Sequence, residues 1–148
     1  MGVYMKNIGI ELRSLGNLVM RFIEQRARAQ SCDLLTGSNS WILGYLLQHA
    51  DREVYQRELE EEFSITRSTA SKVVNLMEKK GLVKRNIAAH DARMLKLTLT
   101  EKAEALAIQM RRESENLSRI LTRDFSEEEL DHLNEYIERM KKNLREEG

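Results

Sequence analysis

"SITRSTASKVVNLMEKKGLVKR", residues 64–85, contains the change of period on which the fold turns. Thr66 stands where an N-cap belongs. Behind it Ala70, Val73, Val74 and Met77 recur at the i, i+3, i+4, i+7 spacing of a helix with one buried face. Gly81 follows, at the position where helices leave through a left-handed residue. Beyond it the period drops to two. Leu82 to Ile87 reads as a short strand, and Met94 to Leu99 returns antiparallel, with Leu95, Leu97 and Leu99 alternating with Lys96 and Thr98. A polar corner carrying Asp91 and Arg93 joins the two strands.

The rest of the chain reads as helix. Ile8, Leu12, Leu15, Val19 and Phe22 form an apolar seam of coiled-coil spacing within a first helix, about Lys6 to Gln30. "SCDLLTGSNS" (31–40) breaks it, and Thr36 is placed to cap a short helix, Trp41 to His49. That helix is apolar nearly all round, so burial is expected for it. Gln56 to Phe63 forms another short helix, and its "EEE" (60–62) reads as a solvated face. Thr100 opens a long helix to about Arg123. Ser126 and Glu129 make a capping box for a last helix, whose Leu130, Leu133, Ile137, Met140 and Leu144 are three and four apart. The expected fold is mainly α with a small β-hairpin: a winged helix-turn-helix lobe over 36–100 inside a single domain, 1–148. The flanks, 1–35 and 101–148, carry seams that suit pairing with a second copy.

The chain has 24 Lys and Arg against 24 Asp and Glu, a formal net charge of zero. That balance is uneven along the sequence. Residues 66–100 hold 8 basic and 2 acidic side chains, a block of six net positive charges in an otherwise acidic protein. Such a block is the footprint of a polyanion-binding face. With the apolar positions of residues 67–79 turned inward, the outward face presents Arg67, Ser68, Ser71, Lys72 and Asn75, side chains able to read base edges or hold phosphates. Lys84 and Arg85 lie on one strand of the hairpin, Arg93 on the other, and Asp91 is placed to pair with Arg93 and shape the tip. An arginine there suits a narrow minor groove.

These stretches resemble the multiple-antibiotic-resistance regulator (MarR) family. The residues that carry the likeness are "LTGSNSWILGYL", "YQRELEEEFSITRSTASKVVNLMEKKGLVKR" and "DARMLKLTLTEKA", over about residues 35–103. The strongest signal is Asp91, Arg93, Leu99 and Thr100, an Asp-x-Arg wing running into Leu-Thr at a helix start. The likeness implies a homodimeric winged-helix regulator on a double-stranded, pseudo-palindromic DNA operator, often a repressor released by a small, frequently aromatic ligand. It puts Arg67, Ser68, Thr69, Ser71 and Lys72 on the recognition helix and Arg93 on the wing. The chain departs from the family at Ser64, where many members have Gly, and at Glu60, where they often have Ala.

An effector pocket is implied between the flanking helices and the DNA-binding lobe. Arg21, Trp41, Tyr45 and His49 are its candidates, because aromatic walls with one cation suit an aromatic acid. His90 on the wing reads as a phosphate contact or an exposed residue. His49, His90 and His132 lack partners at metal-ligand spacing, and no cofactor or catalytic constellation is expected. Cys32, beside Asp33, has no neighbouring cation to activate it, so a plain thiol is expected. No apolar run reaches eighteen residues and no signal-peptide pattern opens the chain, which leads to the expectation of a cytoplasmic protein without a membrane segment. The competing reading is a winged-helix protein-interaction module that never touches DNA.

Overall fold

The computed structural model describes residues 6–29 and 37–148, with side chains from residue 41 onward in the second stretch. Cys32 and the capping role of Thr36 lie outside the described residues. The chain divides into two compact units, Met1–Arg112 and Glu113–Gly148.

The first unit contains α1 (Ile8–Ala29), α2 (Gly37–Gln48), β1 (Val54–Tyr55), α3 (Gln56–Glu62), α4 (Arg67–Lys79), β2 (Val83–Ala88), β3 (Asp91–Leu99) and the start of α5 (Glu101–Leu121). Its core is the meeting point of Leu43, Leu46, Val54, Leu59, Val74, Met77, Leu82 and Leu97 with Ala103 and Ala107. Helix α4 buries Ala70, Val74 and Met77 and leaves Val73 half-buried, as the spacing predicts. The hairpin is in fact part of a three-stranded sheet, ordered β1-β3-β2. Val54 pairs with Leu97 and Tyr55 with Lys96, so two residues close the second edge of β3. A strand of two residues has no period to detect.

Helix α2 is not buried all round. Ile42, Leu43 and Leu46 are in the core, while Trp41 is 39 % exposed and lies tilted against Phe63.

The turn between α3 and α4 and the turn after α4 are the same device. After α3, Ile65 N–H donates to Glu60 O (3.0 Å) and Ser64 N–H to Glu61 O (3.4 Å). After α4, Leu82 N–H donates to Met77 O (2.9 Å) and Gly81 N–H to Glu78 O (3.0 Å). Both pivots are left-handed, Ser64 at φ 50° and Gly81 at φ 72°. Only the second has the residue that adopts this conformation freely. Ser64→Gly should therefore raise stability by up to about 1 kcal/mol, whereas Gly81→Ala should cost about 1–2 kcal/mol. Urea unfolding of the two variants beside the parent checks both signs.

Thr100 joins the sheet to α5. Its Oγ1 donates to Gly81 O at 2.6 Å and accepts the Ala103 N–H at 3.2 Å, which ties the helix start to the end of α4. The second unit holds the remainder of α5 and α6 (Glu127–Glu147). Ser126 and Glu129 form the expected capping box, with Oγ and Oε2 taking the reciprocal N–H groups at 3.1 and 2.9 Å. Neither α1 nor α6 has a buried residue, and Leu12, Leu15, Leu133 and Leu144 on their seams are all exposed.

Candidate nucleic-acid interface

Thr66 makes the N-terminus of α4. Its Oγ1 accepts the Thr69 N–H at 3.1 Å, and its hydroxyl donates to Thr69 Oγ1 at 2.9 Å. This cap starts a helix whose first outward side chains are Arg67, Ser68 and Thr69. All three are exposed, as are Lys72 and Asn75, and Ser71 is half-buried. The structure thus brings six of the predicted contacts onto one exposed helix face.

The wing is built around an irregularity. Pairing between β2 and β3 is regular from Val83↔Leu99 to Ile87↔Leu95 and then jumps to Ala88↔Asp91, so that Ala92, Arg93 and Met94 have no partner on β2. Arg93 therefore sits in a bulge inside β3, where the sequence pattern suggests a corner ahead of the strand. Such bulges re-aim side chains. Asp91 shapes this one: its Oδ1 accepts the Arg93 backbone N–H at 2.9 Å and the Arg93 Nε–H at 3.3 Å. The Asp-x-Arg spacing is what allows one carboxylate to reach both groups. The Arg93 side chain is still 92 % exposed.

Lys84 and His90 are also exposed, and His90 stands edge-on to the Tyr55 ring. Arg85 differs from the other predicted contacts. Its side chain is 24 % exposed and its guanidinium lies 3.6 Å from the Glu78 carboxylate of α4, so it ties the wing to that helix.

Two acidic residues absent from the sequence-based candidates organise the other edge of the sheet. Glu58 Oε1 accepts the Tyr55 N–H at 3.2 Å, and its carboxylate pairs with Arg52 at 2.8 Å and receives the Tyr45 hydroxyl at 3.4 Å. Burial pushes the Tyr45 phenol above its usual range. Glu53 accepts the Tyr55 hydroxyl at 2.5 Å and Lys96 Nζ at 3.1 Å. The Tyr55 hydrogen bond, reinforced by Lys96, holds the Glu53 carboxyl below the usual carboxylate range. A lowered folded-state value means this stabilisation is complete above the ordinary carboxylate range and is lost as pH falls through the lowered one. The sheet edge should thus keep its protection from hydrogen exchange at mildly acidic pH and lose it only in stronger acid. No pattern in the sequence marks these acids. Of their partners, Lys96 is brought by pairing between β1 and β3 and Tyr45 by α2, while Arg52 and Tyr55 lie nearby in the chain at spacings that form no helix or strand pattern.

Of the effector candidates, the Tyr45 and His49 rings lie tilted at 36° with centroids 4.2 Å apart, and Trp41 and Tyr45 both lie against Phe63. Arg21 is exposed on α1 and makes no hydrogen bond, ion pair or ring contact with them among the described residues. A cleft of about 470 Å³ lies instead between the end of α2, β1, β3 and the start of α5, and of the four candidates only His49 lines it. Among the described residues no group of His, Cys, Asp and Glu gathers as a metal site, and no helix is long and apolar enough to cross a membrane.

A capped helix, a left-handed turn before it and a two-stranded wing after it, whose sheet β1 completes from earlier in the chain, define a winged helix-turn-helix DNA-binding protein. A model of the MarR family matches residues 35–94. The crystal structure of the transcription regulator MarR from Oenococcus oeni PSU-1 is 31 % identical over 92 % of this chain and 99 % of that one, with a TM-score of 0.81. The chain belongs to the MarR family of DNA-binding transcription regulators. The same fold recurs in S. aureus MepR bound to DNA (21 % identity, 95 % of this chain and 99 % of that one, TM-score 0.80). It recurs again in a MarR-family regulator from Listeria monocytogenes complexed with a 26mer DNA (23 % identity, 97 % and 92 %, TM-score 0.77). No protein of curated function matches the chain.

Proposed function

We propose that this regulator is a non-catalytic, cytoplasmic repressor that binds a pseudo-palindromic operator as a homodimer and releases it when a small ligand binds. The lobe over 36–100 contacts DNA and the flanking helices hold the dimer. One observation carries the reading most directly: α4 and the bulged wing each present an arginine, Arg67 and Arg93, exposed on elements that cap and bulge geometry hold in place. Arg67, Ser68, Thr69, Ser71, Lys72 and Asn75 supply the helix contacts. Lys84, His90 and Arg93 supply the wing contacts, and Asp91 and Arg85 shape the surface. The S. aureus and Listeria complexes support this use of the fold, since in each a protein of this shape holds DNA.

Two symmetric recognition helices reach successive major grooves about 34 Å apart. Duplexes selected by the protein from a random pool should therefore carry an inverted repeat with half-site centres about 10 bp apart. Absence of any enriched repeat would refute the reading. For release, the ligand must favour the arrangement that cannot bind DNA, because equal affinity for both shifts nothing. Trp41, Tyr45 and His49, with Arg21 from α1, remain the residues we assign to an aromatic effector. Salicylate-like compounds should raise the thermal midpoint and lower affinity for the selected duplex, and a compound series that moves neither would count against the assignment.

A further inference from the structure

Backbone support of the wing from β1 ends early. The β1 strand pairs with β3 only at Leu97 and Lys96, and beyond Lys96 the wing is a two-stranded ribbon with a bulge. Ribbons of two strands are marginally stable by themselves. Side chains of β1 and of Glu53 just before it reach further than the strand's backbone does. Glu53 uses one oxygen for Lys96 Nζ, 3.1 Å away on β3, and the other for the Tyr55 hydroxyl, at 2.5 Å. The Tyr55 ring meets the His90 ring edge-on, with centroids 5.8 Å apart and planes at 83°. His90 immediately precedes Asp91, the residue that holds the Arg93 bulge. A continuous chain of contacts thus runs from Lys96 through Glu53 and Tyr55 to the tip of the wing.

We propose that Glu53 and Tyr55 are positioning residues for DNA binding: their carboxylate–phenol pair braces the wing from the β1 edge and sets the direction in which Arg93 is presented. The proposal rests on the wing contacting DNA. Neither residue needs to touch the duplex. The brace raises the fraction of molecules whose wing is already in the binding arrangement, and apparent affinity scales with that fraction.

An incidental surface carboxylate would behave in the opposite way. Glu53 is a negative charge on the unit that receives a polyanion, so if it did nothing else its neutralisation would relieve repulsion and tighten binding. A brace predicts weaker binding in spite of the gained positive charge. The sign of the Glu53→Gln effect therefore separates the two.

The test is fluorescence anisotropy with a duplex selected by the protein, at several salt concentrations, for Glu53→Gln, Tyr55→Phe, their double variant and Arg93→Ala. Both single variants should lose roughly three- to tenfold in affinity with the salt slope unchanged, since no phosphate contact is removed. The double variant should be little worse than either single, as expected for two parts of one contact. Amides of residues 88–94 should exchange faster in the variants while those of α4 hold. Tighter binding by Glu53→Gln, or wild-type binding by Tyr55→Phe, would overturn the brace. If Arg93→Ala weakens binding while the other two do not, the brace fails alone. If Arg93→Ala is itself neutral, the wing contact on which the brace rests fails too.

Discussion

Replacing Leu133 and Ile137 together by Asp should halve the mass of the protein in solution and remove operator binding with it. Helix α6 has an apolar residue at every third or fourth position from Leu130 to Leu144, yet buries none of them within its own chain. Covering each leucine is worth on the order of 2 kcal/mol, so several per subunit make the uncovered monomer unfavourable. Two carboxylates placed in that interface would each have to be desolvated without a partner, a cost of several kcal/mol per ion. A monomer meets one half-site at a time and loses the roughly 10²- to 10⁴-fold gained when two linked modules bind together. Sedimentation at micromolar concentration, with anisotropy on the same samples, checks both halves. A parent protein already monomeric, or a double variant still dimeric, would refute the account.

Arg67→Ala and Arg93→Ala should fail in different ways. Arg67 opens α4, the end of a recognition helix that leads into the major groove, and its loss should cost about 1–3 kcal/mol on the operator and relax base preference at one position. We assign Arg93 to phosphate or the minor groove, so on that proposal its loss should weaken operator and scrambled duplex by similar factors. It should also flatten the salt dependence by about one phosphate per subunit. Binding of both variants to both duplexes across a salt series is the measurement. Equal behaviour of the two would mean that helix and wing do not divide the work. Wild-type behaviour of both would move the basic block to some purpose other than DNA.

What could be read from residues in advance follows a simple rule: interactions local in sequence announce themselves, and those made by folding do not. The caps made by Thr66, Thr100 and the Ser126–Glu129 box and the turn at Gly81 each span four residues or fewer, and each caps or ends a helix as its position suggests; the second bond of Thr100, to Gly81 O, is made only by folding. The Asp91–Arg93 pair, two residues apart, belongs with them. The β1 strand does not, because Val54 and Tyr55 become a strand only when Leu97 and Lys96 arrive opposite them. Arg85 looks like one more cation of the basic block until α4 folds and brings Glu78 alongside. Trp41, in a helix apolar all round, gives no sign that its ring will be left half outside against Phe63.

The bulge that carries Arg93 also has a bearing on how the protein is shared between its operator and the rest of a genome. Arg93 travels with its own counter-ion, since Asp91 sits 3.3 Å from the guanidinium. On the reading proposed above, Arg93 exchanges this partner for phosphate whenever the wing meets a duplex, operator or not. An exposed ion pair is worth at most about 1 kcal/mol, so the exchange trims the contact without removing it. The trimming is the same on every sequence, which shortens each stay on arbitrary DNA and leaves the choice of site to α4. Pairing the arginine in advance thus gives up a little grip everywhere in return for a faster search.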